Sequence, residues 1–251
     1  MGKKIVQNCI YALIGVTLLV CVWLIAYKPV GNELVVPSPW DCFVQMGVTL
    51  TDGAFWTAFG NTFLRVLAAF GISFVSAVVF AVLSYAFPVV GRILSPIISV
   101  FRSLPVLAVT LILWMLLGSE NTPVAVAFLS LFPMLYAGTV SGLCAVDEEL
   151  LVMSRVYKVP LKKRILHLYL PTAAPHVARE SAAALSFSLK LVVSAEVLAD
   201  TYKSIGELMQ DAKSLLDMPS LFALVCITAL VGLVLEAGAG VLVSYIERSV
   251  Q

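Results

Sequence analysis

The chain has 251 residues, of which 61% are hydrophobic and only 12% are charged, and its mean hydropathy is +1.01. Soluble domains carry about 25% charged and about 45–50% apolar residues, so this composition excludes an ordinary soluble protein and predicts an integral membrane protein. The formal net charge is +1 and the basic residues are scattered, which excludes a nucleic-acid-binding surface.

Apolar stretches long enough to cross a membrane occur six times along the chain, since each crossing needs roughly 20 apolar residues. We therefore predict an all-α integral membrane protein with six transmembrane helices in a single domain, residues 1–251. The predicted spans are Ile5–Tyr27, Asn61–Phe87, Val89–Leu117, Pro123–Val146, Glu180–Ala199 and Pro219–Ile246.

Two connections on the same predicted side of the membrane have sequences that predict local structure. Lys28–Phe55 contains three prolines, which exclude a continuous helix, and we predict an extended segment followed by a short surface helix. Thr201–Met218 alternates charged and apolar residues around Gly206, which predicts a re-entrant or interfacial helix.

Positive charge in the short connections predicts the orientation, because cytoplasmic loops are enriched in Lys and Arg. The basic residues that all fall on one predicted side are Lys3, Lys4, Arg92, Arg155, Lys158, Lys162, Lys163, Arg164, Arg179 and Arg248. The connections on the other side mix a few lysines with acidic residues. Both termini are therefore predicted to be cytoplasmic, which requires an even number of spans.

The predicted cytoplasmic connection between spans four and five, residues 147–175, is longer than a simple turn needs. It opens with the acidic run Asp147–Glu149, where a helix dipole favours negative charge. We predict a short amphipathic helix that Pro160 ends. The residues predicted to share one face of it are Leu150, Leu151, Ser154 and either Tyr157 or Lys158.

This connection resembles the cytoplasmic loop of the permease subunits of bacterial ABC importers. That loop reads Asp/Glu-x-Glu-Leu-Leu-Glu-Ala-Ala, with a later Gly and then Leu-Pro. The matching residues are Asp147, Glu149, Leu150, Leu151, Leu170, Pro171 and Pro175. Val152, Met153 and Ser154 stand where Glu-Ala-Ala is usual, and Lys158 stands where Gly is usual.

Four further stretches resemble the nitrate, sulfonate and taurine branch of these permeases. They are Val36–Pro39, Asn61–Arg65, Phe101–Pro105 and Ala195–Leu198, the last followed by Gly206. Their order and spacing cover almost the whole chain. The branch resemblance implies a small solute such as a sulfonate, taurine, nitrate or a related small organic molecule.

The resemblance implies the type I importer permease fold, in which the short cytoplasmic helix docks into an ATPase subunit. The implied ATPase-coupling residues are Glu149, Leu150, Leu151, Val152, Met153, Ser154, Lys158, Leu170 and Pro171. It also implies a homodimer of this chain in the bacterial inner membrane, two cytoplasmic ABC ATPase subunits that use ATP and Mg, and an external solute-binding protein. The chain itself is implied to be non-catalytic and to bind no cofactor.

Charged side chains inside predicted spans are costly and point to function by default. The candidates for lining a translocation pathway are Arg65, Arg102, Lys190 and Glu196. Some of these candidates have an alternative to a pathway role. Arg65 could instead extend its side chain to the membrane surface. Lys190 and Glu196 could instead form structural ion pairs between helices or subunits. Lys190 and Glu196 are poorly spaced for a pair within one helix.

Motifs for other chemistry are missing from the sequence. No GxxxxGK[ST] is present, so the energy for active transport has to come from an ion gradient or from a separate subunit. No CxxC, HExxH or GxSxG is present, so we predict no metal site and no catalytic residues. The alternatives are an ion-coupled carrier or channel that works alone, and a membrane-embedded enzyme or assembly factor.

Overall fold

The computed structural model describes residues 14–15, 17–18, 20–25, 27 and 36–250. Residues 249 and 250 are described by their backbone alone. The regular elements in these ranges are all helical, as the composition predicts. The predicted first span, Ile5–Tyr27, lies largely outside the described residues, and those described between positions 14 and 27 are helical.

Eight helices follow from position 39 onward. In chain order they are α1 (Pro39–Thr51), α2 (Gly53–Ala86), α3 (Pro88–Ser103), α4 (Val106–Cys144), α5 (Glu148–Val156), α6 (Leu161–Ala199), α7 (Ile205–Ser214) and α8 (Met218–Val250). Among them, α2, α4, α6 and α8 are long and apolar enough to cross a membrane. The all-helical membrane fold is therefore confirmed, and the number of six spans stays a prediction.

The predicted short helix before the second span is present as α1. Ser38 caps its start, where the side-chain oxygen accepts a hydrogen bond from the Asp41 N–H at 3.1 Å. Asp52 ends α1, and its carboxylate accepts from the Ala54 N–H at 3.0 Å. Because Asp52 caps the next helix in this way, α2 begins at Gly53 and not at Asn61 as predicted.

The third predicted span, Val89–Leu117, is wrong as one continuous helix. It is interrupted at Leu104, which is extended at φ −68° and ψ 130°, because a residue that precedes proline is disfavoured in the helical region. The break before the fourth span lies at Gly118, whose φ of 76° no other residue type adopts easily. Pro123, the predicted start of the fourth span, lies inside α4 five positions after Gly118.

The helix that contains the fifth predicted span, Glu180–Ala199, is longer than that span, because α6 already begins at Leu161. The sequence suggested that Pro171 separates a cytoplasmic stretch from the membrane helix. Instead, residues Ile165–Tyr169 form a π-helical turn inside α6, which accommodates a proline that has no N–H to donate. The helix then continues through Pro175 to Ala199.

The chain forms two compact units. One comprises Met1–Thr57 with Leu208–Thr228, and the other comprises Ala58–Glu207 with Ala229–Gln251. In the first unit, the Gln45 side-chain amide donates to the Ser220 hydroxyl at 2.9 Å, which joins α1 to the start of α8. The second unit contains all of α3 to α6, and within it α4 and α6 pack along much of their length.

Small residues allow α4 and α6 to approach closely. Gly138 and Gly142 stand four positions apart on α4, the spacing that brings helix backbones together in membranes. A Cβ atom at Gly142 would lie 3.0 Å from the His176 Cβ and 3.1 Å from the Ala173 Cα. The two helices therefore pack backbone against backbone at this point.

We expect Gly142→Ala to lower the thermal stability of the purified protein in detergent, because the added methyl group has to displace α6. Gly71→Ala is the matched control: nothing lies within 4 Å of a Cβ at Gly71 on α2. There, alanine gains about 0.5–1 kcal/mol of helix stability over glycine. Equal melting temperatures for the two variants would contradict the close packing.

Candidate functional site

The connection between α4 and α6 is folded into the helix α5, whose start is capped. Asp147 is the N-cap residue, and its carboxylate accepts a hydrogen bond from the Glu149 N–H at 2.9 Å. Two acidic residues, Glu148 and Glu149, occupy the first turn, where the helix dipole favours them. The acidic run that opens the motif therefore stabilises the start of α5.

Lys158 closes α5 in a left-handed conformation, with a φ of 50°. Its N–H donates to the Arg155 carbonyl at 3.0 Å, and the Val159 N–H donates to the Ser154 carbonyl at 2.9 Å. This pair of bonds is a Schellman motif. Glycine adopts the required φ without steric cost, so the backbone explains why importer loops of this type usually have Gly where this chain has Lys158.

One side of α5 is buried and the other is exposed and apolar. Leu151 and Ser154 are buried, and the Ser154 hydroxyl donates to the Leu151 carbonyl at 2.7 Å. The exposed apolar side chains, with their exposed fractions, are Leu150 (45%), Val152 (51%), Met153 (54%), Val156 (72%) and Tyr157 (74%). A surface helix normally presents polar residues outward. This outward side of α5, which we call the outward face, is typical of a binding surface.

The predicted coupling residues are thus divided by the structure. Leu151 and Ser154 hold α5 against the chain, whereas Glu149, Val152 and Met153 are exposed. Leu150, which we predicted on the same face as Leu151, is exposed. Leu170 and Pro171 lie in α6, directly after its π-helical turn. Leu170 lines an apolar groove of about 580 Å³ between α2, α4 and α6.

Two of the four predicted pathway residues form an ion pair between helices. The Glu196 side chain on α6 is completely buried, and its Oε1 lies 3.1 Å from the Arg65 Nη1 on α2. The Arg65 Nη2 lies 2.6 Å from the Glu120 Oε2 and donates to the Tyr202 carbonyl at 3.3 Å. Arg65 therefore ties α2 to α4, to α6 and to the chain that follows α6.

Thr62 is a member of this network that sequence analysis missed. Its hydroxyl donates to the Glu196 Oε2 at 2.9 Å and accepts from the Ile205 N–H at 3.0 Å. Thr62 lies three positions before Arg65, a spacing that puts both on one side of α2, so the spacing could have identified it. We name Thr62, Arg65, Glu120 and Glu196 the polar network.

The connection that follows α6 packs directly on the polar network. Asp200 ends α6 in a left-handed conformation, with a φ of 50°. A Cβ atom at Gly206 would overlap the Glu196 side chain and the α6 backbone. Only glycine therefore fits at this position, at the start of α7.

The remaining pathway candidates, Arg102 and Lys190, have a different environment. The Arg102 Nη2 donates to the Pro133 carbonyl at 3.0 Å, and Arg102 lines a cavity together with Glu180. Lys190 is exposed on α6. Neither Arg102 nor Lys190 forms an ion pair within the described ranges. The described residues also contain no group of three or more His, Cys, Asp or Glu side chains placed to hold a metal ion.

The membrane-length helices and the close packing of α4 on α6 at Gly142 define a helical membrane protein. The sequence model of one family, the "Binding-protein-dependent transport system inner membrane component", matches residues 74–250. The chain belongs to this family. Its members are transporter permease subunits, and the ATPase activity of such transporters lies in partner subunits.

Individual relatives agree with the family assignment and with the predicted branch. A "Probable ABC transporter permease protein" of Brucella melitensis is 24% identical over 206 residues, which cover 82% of this chain and 83% of the relative. The taurine transport system permease protein TauC of Escherichia coli K12 is 22% identical over 224 residues, covering 86% and 80%. The resemblance to the taurine-type branch is thus confirmed.

A solved structure shares the fold. The crystal structure of an amino acid ABC transporter with histidines aligns with a TM-score of 0.62, covering 78% of this chain and 93% of the solved chain. The sequence identity is 16%. This similarity supports the importer permease fold.

We expect Arg65→Gln to destabilise the protein strongly, because Glu196 would keep a buried charge without its cation. Removing one partner of a buried pair typically costs about 3–5 kcal/mol. Glu120→Gln is the matched control and should cost no more than about 1 kcal/mol, since exposed ion pairs contribute little. The double variant Arg65→Gln with Glu196→Gln should recover part of the lost melting temperature. A double variant less stable than Arg65→Gln alone would contradict the pairing.

Lys158→Gly should stabilise the end of α5 by about 0.5–1 kcal/mol, because glycine removes the steric cost of a positive φ. The measurement is hydrogen exchange of the amides in α5 and its C-terminal cap, which should slow. Lys162→Gly, in the first turn of α6 where φ is helical, is the control and should not slow exchange there. Faster exchange in the Lys158 variant would contradict a steric cost of the positive φ at this position.

Proposed function

We propose that this chain is the permease subunit of an ABC importer that carries a small sulfonate-type solute across the bacterial inner membrane. Separate ATPase subunits supply the energy, and an external binding protein delivers the solute. The family and the taurine permease relative support the importer class. The branch resemblance and that relative's name support the solute class, with nitrate and related small organic molecules as alternatives.

The observation that carries this proposal is the outward face of α5. Met153, Val156 and Tyr157 are more than half exposed although the helix is capped at both ends and anchored through Leu151. Exposed apolar side chains in the middle of a contact surface supply most of the binding energy of protein interfaces. We assign this face to the groove of a cytoplasmic ABC ATPase subunit.

The rest of the assembly follows from the same proposal. Two copies of the chain form the pathway, each bound to one ATPase subunit, and both chain termini lie in the cytoplasm. Closure of the two ATPases, which use ATP and Mg, draws the two α5 helices together and rocks the membrane helices between inward-open and outward-open states. The chain itself contributes no catalytic group and no cofactor.

Within the membrane, we propose different roles for the four charged candidates. Arg65 and Glu196 hold α2, α6 and the following connection together, because their charges are already matched within the polar network. Arg102 and Lys190 face the pathway, since neither has an ion-pair partner in the described part of the chain.

The coupling proposal is tested with Met153→Asp and Val156→Asp combined, co-expressed with the ATPase and the binding protein. Hot-spot residues of an interface cost about 2 kcal/mol or more when truncated, and two carboxylates buried against the ATPase add a desolvation cost, so co-purification of the ATPase should fall at least about tenfold. Leu215→Asp is the control: this leucine is 79% exposed in the connection before α8, on the side predicted to face away from the ATPase. It should leave co-purification unchanged.

Two results would overturn the proposed function. One is a double variant that still binds the ATPase and responds to loaded binding protein. The other concerns the wild-type protein in proteoliposomes: uptake of radiolabelled taurine driven by an ion gradient, without ATP and without partner proteins. We expect uptake only with ATP, the ATPase and the binding protein.

A further inference from the structure

A cavity of about 430 Å³ opens among α3, α4 and α6 in the second unit. Its volume lies within the range of about 300–1,000 Å³ that is usual for small-molecule sites. The polar side chains in its lining are Arg102, Ser130, Ser141 and Glu180. One cation, one carboxyl group and two hydroxyls thus surround one space in a chain with few charged residues.

Both charged groups keep unused hydrogen-bonding capacity. A guanidinium has five N–H donors, and Arg102 uses one of them on the Pro133 carbonyl. Among the described residues, neither Arg102 nor Glu180 forms an ion pair. This contrasts with Arg65, whose guanidinium contacts two carboxylates and a carbonyl.

Gly138 allows Glu180 to reach this cavity. A Cβ atom at Gly138 would overlap the Glu180 side chain. The Glu180 side chain on α6 therefore contacts α4 at a position where α4 has no side chain. The absence of a side chain at Gly138 therefore leaves room for Glu180 in the lining of the cavity.

We propose that this cavity binds a small zwitterion during transport, with its anionic head at Arg102 and its ammonium group at Glu180. The proposal rests on the proposed function and deepens it by naming the substrate class. An Arg fork binds the oxygens of an anionic group with more than one hydrogen bond, and the Ser130 and Ser141 hydroxyls complete the lining. Taurine carries both a sulfonate and an ammonium group, whereas ethanesulfonate carries the sulfonate alone.

The test measures binding of radiolabelled taurine and ethanesulfonate to the detergent-solubilised complex of this chain with its ATPase, without binding protein. Wild type should prefer taurine. Glu180→Gln should lose about tenfold in taurine affinity, since the ammonium group would keep only a neutral amide acceptor in place of a carboxylate, and should keep its ethanesulfonate affinity. Arg102→Gln should weaken both ligands. Gly138→Ala should act like Glu180→Gln, because it displaces the carboxylate without removing its charge.

Arg92→Gln and Glu236→Gln are the charge-matched controls, since both residues are exposed and line neither the cavity nor the polar network. They should leave both affinities unchanged. A Glu180→Gln variant with an unaltered ratio of taurine to ethanesulfonate affinity would overturn the inference, as would a wild-type complex that does not distinguish the two ligands.

The proposed function has a separate readout, which is ATP hydrolysis by the wild-type complex on addition of loaded binding protein. A complex that responds in this way but does not prefer taurine refutes the zwitterion site and keeps the importer. A complex that never responds refutes the importer itself.

Discussion

The completely buried carboxylate of Glu196 constrains α2, α6 and the start of α7 together. An ionised group removed from water is tolerated only when its hydrogen-bonding capacity is met by other groups. Thr62 and Arg65 meet it from α2, and their geometry fixes the register of α2 against α6. Gly206 is required because any larger residue would collide with Glu196. The first turn of α7 is thereby held against the end of α6.

Buried hydroxyl groups of the apolar helices also need hydrogen-bond partners. Hydroxyl groups inside α2 and α4 donate to the carbonyl four residues earlier, as Ser73, Thr110 and Thr139 do to Ala69, Val106 and Leu135. Such side chains satisfy themselves locally and need no partner helix. Where the backbone is irregular, at Gly118, the Thr122 hydroxyl donates to the Gly118 carbonyl at 2.7 Å. These hydroxyl groups are thus paired within one turn of their own helix, whereas the polar network pairs its groups between helices.

Sequence patterns predicted the local features of the fold, because local features depend on neighbouring residues. The acidic run correctly predicts the start of α5, whereas the break before Pro105 interrupts the predicted third span. Pro171 misled us, since a π-helical turn lets α6 pass a proline that normally ends a helix. A single sequence carries no signal that a π turn will form there.

The polar network could not be predicted, since its members are far apart in the sequence. Arg65 and Glu196 are 131 positions apart, and periodicity describes only neighbours on one helix. The sequence did identify both residues as costly inside a span and left a structural pair between helices open. Glu120 was missed because it lies between predicted spans, where a charged residue needs no explanation.

Arg65 on α2 and Arg102 on α3 show how a protein with few charges can use the same residue type in two ways. Arg65 contacts Glu196, Glu120 and the Tyr202 carbonyl, so a passing anion would have to displace carboxylates and leave Glu196 unpaired. Breaking this buried ion pair costs more free energy than the binding of a weak ligand supplies. Among the described residues, Arg102 donates to the Pro133 carbonyl and forms no ion pair, so an anion can bind it without breaking one. We therefore propose that the polar network stays rigid during transport and that ligands exchange at the Arg102 cavity.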